Sequence, residues 1–133
     1  MKKVYVLFFL LIASSLFGDK IHWAKDFDSG VKMATQEKKP ILFVFSRHTC
    51  HYCKILEETT FSDARVIEHI NKNFVAIIAY SDDNDAMPQE LWRPGTPTLW
   101  FLNSKGKAMY QPLVGAIKAD NFLNALDVVE KKI

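Results

Sequence analysis

Ile41-Leu42-Phe43-Val44-Phe45, Cys50-His51-Tyr52-Cys53 and Lys54-Ile55-Leu56-Glu57-Glu58 follow one another along the chain, and their reading decides the fold. The first five residues are an unbroken apolar run of strand length, and the last five are good helix formers. Between them lie the only two cysteines of the 133-residue chain. A buried strand that ends, turns and delivers a Cys to the first turn of a helix is chemically pointed. The helix start offers free backbone N–H groups and a positive dipole end, and both stabilise a thiolate. A free thiol has a pKa of about 8.5, which falls to about 3.5–7 in such Cys-x-x-Cys settings. Cys50 is therefore expected to be the exposed nucleophile at the helix N-terminus. Cys53, nearly one turn later and facing inward, is expected to be the resolving thiol. This reads as a redox site.

Other uses of the pair fit less well. A structural disulfide closing so short a loop removes little unfolded-state entropy. His48, Cys50, His51 and Cys53 crowd into six residues, but structural zinc usually takes a second ligand pair farther along the chain, and no second cysteine pair follows. Covalent haem attachment needs His directly after the second Cys, where this chain has Lys54. A metal-binding or metal-delivery module using Cys50, Cys53 and a nearby His stands as the alternative to redox chemistry.

Upstream, residues 1–18 read as a secretory signal peptide, with the single domain over residues 19–133. Lys2 and Lys3 form the positive end, Val4 to Ile12 the apolar core, and Ala13, Ser14, Ser15 and Gly18 the small residues near a cleavage point. Cleavage fits after Ser15 and after Gly18. The apolar run is too short to span a bilayer comfortably. Of 17 Lys and Arg, loss of Lys2 and Lys3 leaves 15 against 15 Asp and Glu. That balance gives no support for nucleic acid or an anionic membrane as partner. Export places the cysteines where disulfides persist, and the bacterial periplasm is the expected compartment.

Between the leader and the first strand, Phe27, Val31 and Ala34 recur at helical spacing, with Asp28 or Ser29 placed to cap and Pro40 to stop the helix. Trp23 is expected to pin the N-terminal segment to the core. Downstream of Cys53 the helix should run to about Thr59. Ser62-Asp63 then caps a stretch in which Val66, Ile67 and Ile70 share a face. Phe74 to Tyr80 reads as a doubly buried strand, joined to the first by a right-handed crossover. Ser81 to Asp85 reads as a solvated acidic loop, and Met87 to Trp92 as a short helix. Thr98 to Leu102 is the third strand. Asn103-Ser104-Lys105-Gly106 is a turn, and Lys107 to Gln111 the expected fourth strand of an antiparallel hairpin. Phe122, Leu123, Leu126 and Val129 stripe a C-terminal helix.

This order, with Cys-x-x-Cys after the first strand and Gly95-Thr96-Pro97-Thr98 before the third, resembles the thioredoxin family. The resemblance implies an α/β thioredoxin fold: a central mixed sheet of about four strands flanked by helices, here with an N-terminal helical extension. It implies that Pro97 is a cis-proline facing the cysteines, and that Thr96 and Pro97 receive an extended substrate segment by strand addition. Lys39-Pro40-Ile41, the Cys pair and Glu57 to Asp63 are similar to the periplasmic C-terminal domain of the transmembrane thiol reductase. Thr before the proline and Tyr before the second Cys also occur in bacterial disulfide isomerases. Those carry an added dimerisation domain, for which this chain has no room, so a monomer is expected.

There are departures from the family. Where thioredoxin buries an Asp six residues before the first Cys, this chain has Val44, which cannot relay a proton, so Cys53 needs water or Glu57. A cationic His51 would stabilise the Cys50 thiolate, or it is simply an exposed turn residue; Arg47 and His48 read as exposed polar residues. The function expected is a periplasmic thiol–disulfide oxidoreductase. It would exchange disulfides with exported proteins through Cys50 and Cys53, in the reductase or isomerase direction, supplied by a membrane electron donor. No bound cofactor and no metal is implied, since the cysteines carry the electrons.

Overall fold

An apolar run with no polar face is stable as a strand only if both faces and both edges are covered. Ile41–Ser46 (β1) meets that condition, with all six residues buried. The structure, a computed structural model, describes residues 19–132; the leader expected over residues 1–18 lies outside the described residues. On one edge β1 pairs in parallel with Val75–Tyr80 (β2), Ile41 opposite Val75. On the other it pairs antiparallel with Thr98–Leu102 (β3), Phe43 opposite Trp100. With Leu113–Val114 (β4), the sheet order is β2-β1-β3-β4.

The period-two alternation of β1 divides the core. Ile41, Phe43 and Phe45 enter one cluster with Ala34, Ile77 and Trp100, under helix Phe27–Glu37 (α1). Leu42 and Val44 enter the other. That second cluster is covered by His51–Glu58 (α2), Ala64–Asn73 (α3) and Ala119–Glu130 (α4) through Leu56, Val66, Ile70, Phe122 and Leu126. Gly30 lets α1 lie tightly on the sheet, since a Cβ there would collide with the Ile77 side chain. This is the thioredoxin fold with its N-terminal helical extension. Trp23 does pin the N-terminal segment: it bridges to Ala76 on the β2 edge and sets its ring edge-on to Phe61 at 5.7 Å. Among the described residues, no helix is long and apolar enough to cross a membrane.

Four local expectations are corrected. The fourth strand is Leu113–Val114, not Lys107 to Gln111; Leu113 faces Leu99 and Val114 faces Thr98. Of the earlier segment only Ala108 bridges to Leu102, after the Asn103–Gly106 turn with Gly106 at φ 82°. Pro112 has no N–H to give a ladder, so regular pairing resumes only after it. The cap of α1 is Asp26, whose carboxylate accepts the Ser29 N–H at 2.8 Å; Asp28 and Ser29 already lie within the helix. The second strand begins at Val75. Met87 to Trp92 holds one 3-10 turn, Gln89–Leu91.

Candidate active site

The polar N-terminus of α2 decides where the sulfurs sit. Cys50 is the capping residue, with extended backbone (φ −96°, ψ 118°), and its Sγ accepts the Cys53 N–H at 3.2 Å. Cys50 and Cys53 are joined as a disulfide with Cα atoms 5.2 Å apart. Cys50 is half-buried, whereas Cys53 is 1% exposed. An attacking thiol must be reachable and its partner must wait beneath it, and the first helical turn supplies this difference. The N–H that Cys50 accepts in the disulfide would stabilise its thiolate after reduction.

Beside the pair lies the end of β3. Cys50 Sγ is 3.5 Å from the Thr96 carbonyl oxygen, and the Thr96–Pro97 peptide is cis. Thr96 is half-buried and Pro97 buried. The Gly115 N–H donates to the Pro97 carbonyl at 2.9 Å, and the Thr98 hydroxyl donates to the Gly95 carbonyl at 2.5 Å. Residues 95–98 are therefore locked against β4. Val114, opposite Thr98 in the ladder, stays open on this side at 59% exposure.

On the other side, His48 is held from three directions. Its backbone N–H donates to both oxygens of Asp82, at 2.9 and 3.2 Å. Its Nε2 is 2.7 Å from Asp83 Oδ2, and its ring stacks on Tyr80 at 3.8 Å and 12°. The Asp83 hydrogen bond raises the imidazole pKa above its ordinary 6.5. Tyr80 donates its hydroxyl to Glu57 Oε1 at 3.1 Å and its N–H to Asp85 at 2.9 Å. Burial first, then the Glu57 charge, push its phenol up to about 12.

The residues singled out from sequence thus divide. Cys50, Cys53, Thr96 and Pro97 converge. Val44 is buried in the apolar core, and Glu57 is engaged by Tyr80. His51 is exposed on the first turn of α2 with its ring edge-on to Tyr52 at 5.5 Å. His48, read as an exposed polar residue, is exposed but also anchored by Asp82, Asp83 and Tyr80. Tyr80, Asp82 and Asp83 escaped sequence reasoning; the available signal was a Tyr closing an otherwise aliphatic strand immediately before an acidic loop. Among the described residues, the ligand-type side chains gathered as a trio are His48, Asp82 and Asp83, and neither sulfur joins them.

Comparison with known proteins follows the same lines. A profile of the thioredoxin-like domain matches residues 27–130. The chain is 32% identical over 93 residues to the thiol:disulfide interchange protein DsbD of Campylobacter jejuni (strain RM1221), covering 67% of this chain and 16% of that protein. It is 31% identical over 109 residues to DsbD of Vibrio vulnificus (strain CMCP6), covering 78% and 18%. The chain therefore spans only a small part of these relatives' length. A thioredoxin from Thermus thermophilus superimposes with a TM-score of 0.68 at 26% identity, over 83% of this chain and 87% of that one. The oxidised C-terminal domain of Neisseria meningitidis DsbD gives 0.62 at 22% identity, over 76% and 90%.

Proposed function

The chain belongs to the thioredoxin-like family, and from that premise we propose that it is an exported thiol–disulfide oxidoreductase working in the periplasm. The fold, the family and the Cys-x-x-Cys pair support the activity. The observation that carries the roles is the asymmetry of the pair: Cys50 is reachable, receives the Cys53 N–H and lies beside Thr96, while Cys53 is sealed beneath it.

In the reducing direction the Cys50 thiolate attacks one sulfur of a substrate disulfide. That S–S bond breaks, the released sulfur takes a proton, and a mixed disulfide joins Cys50 to the substrate. Cys53, deprotonated, then attacks Cys50 Sγ and expels the second substrate sulfur, so two electrons have passed to the substrate. Thr96 and Pro97 offer the backbone edge along which an extended substrate segment lies. His51 adds positive charge near the attacking sulfur when protonated. The DsbD likeness and Thr96 favour the reductase or isomerase direction. Oxidised exported proteins are the substrates, a thiol–disulfide donor in the membrane restores the dithiol, and the working form is a monomer. The apolar leader of residues 1–18 is the support for export.

Insulin reduction under dithiothreitol tests this reading. The wild-type chain should accelerate precipitation of the insulin B chain and Cys50→Ser should not. Equal rates for the two would overturn it.

A further inference from the structure

The polar flank of the cysteine pair grips both elements that carry the sulfurs. His48 lies two residues before Cys50, fixed through its backbone by Asp82 and through its ring by Asp83. The ring rests on Tyr80, which in turn holds Glu57, one helical turn beyond Cys53 on α2. The charged groups acting on His48 are Asp83, Asp82 and Glu57; Asp85 binds the Tyr80 backbone beneath it. One imidazole thus stands against several carboxylates. When it is protonated its charge offsets part of their field; when neutral, that offset is lost and Arg47, its exposed neighbour in the loop, remains as a cation there.

Resting on the redox reading of the site, we propose that His48 is a positioning residue of the Cys50 loop, and that its pairing with Asp83 sets the negative field felt by the Cys50 sulfur. The Asp83 bond keeps the imidazolium to a higher pH than a free His would allow. A nearby carboxylate disfavours a thiolate, and a nearby cation favours it. The two partners therefore act on Cys50 with opposite sign. His48→Phe keeps an aromatic ring for Tyr80 but removes the charge, and it should raise the Cys50 pKa. Asp83→Asn removes a negative charge and should lower it. A latch that merely held the loop would be loosened by both changes and would move Cys50 the same way in each.

The test is the rate at which iodoacetamide alkylates the reduced chain, followed against pH. Near pH 6, His48→Phe should react about two- to fivefold more slowly than wild type, and Asp83→Asn faster by a similar factor, the size suited to exposed charges. Rates that shift together, or do not shift, overturn the inference. Equilibration of the wild type with glutathione, measured alongside, separates the two levels. Exchange with unmoved variants removes only the role of His48. No exchange at all removes the redox reading and this inference with it.

Discussion

The two flanks of the Cys50–Cys53 pair are built from different materials. On one side, residues 95–98 are clamped by backbone bonds between β3 and β4, with Pro97 and Thr98 buried. Val114, opposite Thr98, is an exposed apolar side chain there. On the other side, His48, Tyr80, Asp82 and Asp83 are joined by side-chain bonds at the surface. The ladder gives the first flank a fixed shape that a guest strand can read. The charges give the second a field that pH and salt can adjust. Docking is proposed for the rigid flank, and tuning for the charged one.

The largest expected effect removes the common centre. Cys50→Ser should bring insulin reduction down to the rate of dithiothreitol alone, whereas Cys53→Ser should still attack but stall as mixed disulfides, visible on non-reducing gels. A Cys53→Ser chain that turned over at the wild-type rate would show that the sulfurs do not divide the labour as their burial suggests. The next change strikes the proposed docking flank: Val114→Asp places a charge opposite Thr98 and should raise KM for insulin about tenfold while kcat stays within about twofold. A fall in kcat at constant KM would move Val114 from docking to chemistry.

Smaller effects come from the charged flank. Tyr80→Phe keeps the ring under His48 but releases Glu57, and should cost about 1 kcal/mol or less in denaturant unfolding. Its pH signature has a definite sign. The phenol is raised from 10.0 to about 12, so the folded state holds that proton more tightly than the unfolded one. The resulting stability is present below pH 10.0 and lost as pH rises through about 12; Tyr80→Phe should lack this loss. The smallest effect lies at the N-terminus of α3. Asp63 is held below its usual 3.8, chiefly by the Arg65 side chain. Its contribution is present above 3.8 and fades as pH falls through the lower folded value. Asp63→Asn should flatten the acid limb of the stability curve without touching exchange rates.

The same division explains what could be read in advance. β1 and α2 come from contiguous residues with strong local patterns, and their expected places agree with the structure; Cys53 faces inward, whereas Cys50, expected to be exposed, is half-buried. The Thr96–Pro97 edge was legible through family likeness alone, because nothing local says that it meets Cys50 from 46 residues away. β4 lies farther along than expected because two residues are too few to show alternation and regular pairing with β3 resumes only after Pro112. The His48–Asp83 bond spans 35 positions, and its members look like ordinary solvated residues until the end of β2 brings them together. Local periodicity locates elements, whereas side-chain networks between loops belong to the tertiary fold.

The most direct test of the account is the reduction potential of the Cys50–Cys53 pair, obtained by equilibrating the chain against glutathione and quantifying the dithiol and disulfide forms. The account predicts a reducing couple near that of thioredoxin, about −270 mV, and a value near about −120 mV, that of a strong periplasmic oxidant, would contradict it.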